Sequence, residues 1–109
     1  MNYRIDLSPM AMTEIDDAYS WISQRSRAGA VKWYNKLDKA IQGLQTHPEQ
    51  QPLAPESQFF IEKIRQLIVG NKRYGYRVLY TVSGGVVHVH HVRHGRQSPL
   101  NKYDLSDVN

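Results

Sequence analysis

The stretch YRVLYTVSGGVVHVHHVRH, Tyr76 to His94, decides the fold. Tyr76 to Ser83 alternates aromatic and β-branched residues with others, the pattern of a half-buried strand. Gly84-Gly85 is a two-residue hairpin signal of the type I′ kind. Val86 to His94 is then the returning strand. With a two-residue turn, Ser83 faces Val86, Val82 faces Val87, Tyr80 faces Val89, Val78 faces His91 and Arg77 faces Val92. Side chains alternate along each strand. One face therefore collects Tyr76, Val78, Tyr80, Val82, Val87 and Val89, with His91 and Arg93 at its far margin. The other collects Arg77, Leu79, Thr81, His88, His90, Val92 and His94. On this second face His94 is a diagonal neighbour of Arg77, about 7–8 Å away at the Cα level. Extended geometry through Gly95 would bring in Arg96, and Lys72 and Arg73 lie in the loop before.

Working outward, Lys63 to Val69 reads as a further strand, and GNKRYG carries turn chemistry. PEQQPLAPES, with three prolines, reads as a loop. At the other end Tyr3 to Leu7 alternates and reads as a short strand. Ser8 suits an N-cap and Pro9 the first helical position. Met12, Ile15, Tyr19 and Ile22 form an amphipathic stripe, with Asp16 and Asp17 off it. Gly29 marks a break, and Val31, Tyr34, Leu37, Ile41 and Leu44 stripe a second helix that His47-Pro48 stops. Trp21 and Trp33 are expected to lock the two helices together. The order is β-α-α-β-β-β. It predicts one α+β domain over residues 1–109, with an antiparallel helical hairpin packed on one face of a small twisted antiparallel sheet.

The chain has 109 residues, enough for one small core, and no cysteine. Disulfides, thiolate catalysis and cysteine-ligated zinc are excluded. No apolar run approaches the ~20 residues of a membrane span. The N-terminus lacks a basic stretch followed by an apolar one, so a soluble, cytoplasmic protein is expected. The net charge is +4, unevenly spread: residues 1–62 carry 6 basic and 8 acidic residues, and residues 63–103 carry 8 basic and none acidic. A block without a carboxylate that also holds four of the five histidines points to an anionic partner.

Histidine moves protons near neutral pH, and arginine holds a fixed fork for phosphate oxygens. Together they suit phosphodiester cleavage in RNA without a metal or other cofactor. The same face could also bind phosphates without cutting them. His88 and His90 could make a pair of zinc ligands, but no third protein ligand lies near them in sequence. Their expected role is in the sheet. Ser83 sits in a turn, not in a nucleophile motif, and phosphate-loop and dinucleotide fingerprints are absent.

YRIDLSPMAMTEIDDAYSWI, VKWYNKLDKAI, THPEQQPLAPES, IRQLIVG, YGYRVLYTV and VVHVHHVRHGR, in this order and spacing, resemble the RelE/ParE family of bacterial type II toxins. The resemblance runs from about Tyr3 to Arg96 and implies the same helical hairpin on a small sheet. It also implies a growth-inhibiting toxin checked by an antitoxin encoded in an adjacent gene. Ribosome-dependent members cut mRNA. The arginine of their GYR strand matches Arg77, and the basic end of their last strand matches His94 and Arg96. Tyr103 matches a C-terminal tyrosine by position. On this reading the partners are the ribosome and mRNA. Arg77 and Arg96 stabilise phosphate charge, and His94 or Tyr103 carries the proton. Arg65, Lys72, Arg73, Arg93 and Lys102 are the expected nucleic-acid contacts. The lysine pair that some members carry on the preceding strand is not evident here. The ParE branch instead poisons DNA gyrase, and the HGR ending resembles that branch as well.

Overall fold

A computed structural model describes residues 2–70 and 75–95. Strand β1 (Arg4–Leu7) leads into helices α1 (Pro9–Ser23) and α2 (Arg27–Gln42). Three short 3-10 turns follow, at Gly43–Gln45, Pro48–Gln50 and Pro55–Phe59. Strands β2 (Arg65–Val69), β3 (Tyr76–Ser83) and β4 (Val86–His94) complete the regular structure of the described residues. The expected order holds, as does the β3–β4 hairpin. Gly84 and Gly85 take φ of 58° and 73°, a left-handed pair that side chains would oppose.

Helix α1 starts where Ser8 accepts a hydrogen bond from the Ala11 N–H, with Pro9 inside the first turn. Helix α2 starts the same way: Ser26 Oγ accepts from the Gly29 N–H at 2.9 Å. Gly29 therefore lies in the first turn of α2 rather than at a break. A methyl group there would come within 3.0 Å of Ser26 Oγ, so the glycine makes room for the cap. The buried helix positions are Ala11, Ile15, Ala30, Leu37 and Ile41. Met12, Val31 and Tyr34, expected in the core, are close to half exposed. The small Ala11 joins the core formed with the sheet, while the larger Met12 beside it turns outward. Trp21 is also exposed and does not lock the hairpin, whereas Trp33 packs on Tyr76 with ring centroids 5.0 Å apart.

The sheet order is β1-β4-β3-β2. Contrary to the antiparallel expectation, β1 pairs parallel with β4, Arg4 opposite Val86 and Leu7 opposite Val89. Hairpin neighbours announce themselves through turns, but an edge strand added from 82 residues away has no such signal. Past Leu7 the outer edge of β4 is satisfied by side chains. Ser8 Oγ donates to the His90 carbonyl at 2.9 Å, and the Val92 N–H donates to Glu14 Oε1 at 3.0 Å.

The β3–β4 register departs from regular alternation. It runs as expected from Ser83–Val86 to Tyr80–Val89, then shifts between Leu79 and Tyr80. His90 is the extra residue of a β-bulge. Beyond it Leu79 faces His91, Val78 faces Val92, Arg77 faces Arg93 and Tyr76 faces His94. The physical reason is burial: the bulge brings Val92 into the core with Val78, Tyr80, Val87 and Val89. Regular alternation would have pointed Val92 away from it. Deleting His90 would simply remove the extra residue and leave Val92 opposite Val78, so the core role is tested at Val92 itself. Val92→Ala should cost about 2–3 kcal/mol, two buried methylene equivalents plus the cavity they leave. A clear fall in the urea midpoint is expected; an unchanged midpoint would contradict the place given to Val92 in the core.

Candidate functional site

Arg77 leaves β3 on the sheet face away from the helices. It is buried there, not open to a substrate. Its Nη2 meets Glu56 Oε1 at 2.6 Å and its Nη1 meets Oε2 at 3.0 Å. Its Nε donates to Gln66 Oε1 at 3.1 Å. Glu56 is fully buried. The proline-rich segment is thus no solvent loop: its turn at Pro55–Phe59 folds over the sheet and carries this carboxylate inward. Ala54, Ile64 and Leu79 are buried beside it, with Phe60 packed against them. The face expected to be uncovered is closed at its Arg77 end.

His94 lies on the opposite face. It pairs with Tyr76, and the two rings meet edge-on at 5.2 Å between centroids. The bulge causes this separation, because it moves every later β4 residue by one position. The expected grouping of Arg77 with His94 therefore does not form. Arg93, expected on the covered margin, stands opposite Arg77. Arg96, Lys72, Arg73, Lys102 and Tyr103 lie outside the described residues.

The other histidines divide further. His91 is buried, with its Nδ1 3.1 Å from Glu14 Oε1 on α1. His88 and His90 stack at 6.4 Å between centroids on the outer face. His90 Nε2 lies 2.8 Å from Thr81 Oγ1. Burial lowers the His90 pKa from its ordinary value, helped by His88 and His91 and opposed by Glu62. Among the described residues no group of three or more histidine, cysteine or acidic side chains is placed to hold a metal.

Arg65, at the start of β2, donates to the Gln51 carbonyl at 2.7 Å. It lines a polar cavity of about 250 Å³ together with Lys63, Glu49, Glu62, Thr81 and Ser83. The two carboxylates make this cavity a mixed-charge surface rather than a uniformly basic one. Beside it Tyr80 donates to the Pro48 carbonyl. Burial pushes its phenol pKa up to about 12, so it stays a donor at neutral pH. Sequence reasoning overlooked Glu14 and Glu56. Neither carries a motif; the proline before Glu56 is its one local signal.

Residues 5–99 match the family model of the ParE toxin of type II toxin–antitoxin systems, parDE. The chain belongs to the ParE toxin family. It is a ParE-type toxin of a type II toxin–antitoxin system. No curated protein matches the sequence. Among solved structures, a chain titled as the chromosomal ParDE toxin–antitoxin system of P. aeruginosa shares the fold. Its TM-score is 0.68 at 14% identity, covering 84% of this chain and 95% of that one. At such identity the likeness concerns the ParE fold, not individual site residues.

Removing one partner of the buried pair should leave a charge stranded. Glu56→Ala is expected to cost about 3–5 kcal/mol in urea unfolding, and the double variant Glu56→Leu/Arg77→Met much less. Equal losses would mean that the pair is not the unit that matters. The lowered His90 pKa gives a second expectation. The unfolded chain binds this proton more readily than the folded one, so stability is lost as pH falls below about 6.5. His90→Gln should make that acid-side loss shallower in thermal melts across pH 5–7, roughly the span of a lowered histidine titration; an identical slope would refute the assignment.

Proposed function

We propose that this ParE-type toxin inhibits DNA gyrase in the cytoplasm and is held in check by an antitoxin encoded beside it. The observation that carries this reading is the state of Arg77. An arginine that stabilises a phosphorane must present its fork to the phosphate oxygens. Here both ends of that fork are spent on Glu56, and Gln66 takes the remaining Nε–H. His94, the expected proton carrier, stands across the sheet. This geometry favours the gyrase branch over ribosome-dependent mRNA cleavage, and membership of the ParE family supports the same choice.

An antitoxin partner has surface to cover. Met10, Met12, Val31 and Tyr34 of the helical hairpin are exposed large apolar side chains. Together with Leu7 and Leu37, Met12 and Tyr34 line a groove of about 270 Å³. Apolar exposure of this kind on a small domain favours a protein partner.

Two assays run together test the target. The purified toxin should block supercoiling of relaxed plasmid by gyrase. Primer extension on cellular mRNA after induction should show no new 5′ ends. Unimpaired supercoiling with new mRNA ends would overturn the proposal in favour of the ribonuclease reading.

A further inference from the structure

Between α1 and the ends of β3 and β4 lies a cleft of about 370 Å³, lined by Glu14, Asp17, Ala18, Trp21, Tyr76, Val92 and His94. Its α1 residues are spaced 14, 17, 18 and 21, one face of the helix. The chain is basic overall, yet this cleft has two carboxylates and, among its described lining, neither lysine nor arginine.

We infer that the cleft is a docking site for an arginine side chain presented by a partner protein. The argument has three parts. First, the charge is complementary: Asp17 makes no ion pair among the described residues, and carboxylates at the mouth would repel a nucleic acid's phosphates. Second, the walls are aromatic. Trp21 is 56% exposed, and an indole takes a cation over its face. The chain itself shows the chemistry: the Arg25 guanidinium carbon sits 3.7 Å from the Trp21 ring centroid. Arg25 is not part of the cleft's lining, so its guanidinium does not fill the cleft. Third, the shape selects arginine over lysine. A planar guanidinium can stack on a ring and fork to a carboxylate at once, while an ammonium is a point charge.

Glu14 is already tied to His91 and to the Val92 N–H, so it supplies field from a fixed position. Asp17 is the exposed carboxylate on the same helix face and the natural partner of the fork.

The test is an NMR titration of the intact toxin with acetyl-Gly-Arg-Gly-amide, with the citrulline peptide as the uncharged control. The arginine peptide should shift the Trp21 indole N–H and the Ala18 amide. Citrulline should bind about tenfold or more weakly, the scale of a lost charge-assisted bond. Asp17→Asn, on the exposed side of α1, should weaken the arginine peptide several-fold without changing the melting temperature. Equal binding of citrulline, shifts mapping elsewhere, or an unaffected Asp17→Asn would each overturn the inference. So would peptide-free, concentration-dependent shifts at Trp21, which would give the cleft to a second copy of the chain. None of these readouts depends on gyrase inhibition.

Discussion

A guanidinium and a carboxylate withdrawn from water together organise the outer side of this protein. Removing each ion from water costs several kcal/mol, and their attraction offsets this only with good geometry and further hydrogen bonds. Arg77 and Glu56 meet both conditions through a two-pronged contact at 2.6 and 3.0 Å, completed by Gln66. The pair holds the turn at Pro55–Phe59 against β3. Around it Ala54, Ile64 and Leu79 bury a second small core that the helices never reach. At the Arg77 end the sheet is therefore covered on both sides, by the helical hairpin on one and by a short proline-rich segment on the other.

This arrangement bears on function through what it removes. Arginine on this strand suggests phosphate chemistry when read in isolation. In the folded chain its Nε and both Nη atoms each donate to a partner inside the protein. The bulge at His90 acts in the same direction by placing His94 against Tyr76 on the helix side. On the reading proposed above, the toxin acts through its surfaces rather than through a proton-transfer site. Those surfaces differ: an apolar hairpin groove, an acidic aromatic cleft beside α1, and a mixed-charge outer cavity around Arg65.

Much of the fold was legible in the chain. The Gly84-Gly85 turn, the Ser8-Pro9 helix start and the order of elements needed only local chemistry. Most of the errors share a cause, since they depended on contacts distant in sequence; the place of Gly29, set by the cap from Ser26, is the local exception. Parallel pairing of β1 joins residues 4–7 to 86–89. The inward face of α1 runs through Ala11, whose small size matters only once a sheet lies beneath it. The bulge had a readable trace: Val87, Val89 and Val92 are spaced two and then three apart, and the histidine doublet sits in the wider gap. Alternation alone treats that gap as a change of face, whereas the core treats it as an extra residue. The site was less legible than the fold. The type of residue at position 77 suggested an anion, but its partner lies 21 residues earlier in a segment that reads as a solvent loop.

The central claim is that Arg77 serves the fold and not the target. Its most direct test is the supercoiling inhibition of the double variant Glu56→Leu/Arg77→Met, after circular dichroism has established that it is folded. Inhibition equal to that of the unaltered toxin is the predicted result. A folded double variant that no longer inhibits gyrase would contradict the account and return Arg77 to the functional surface.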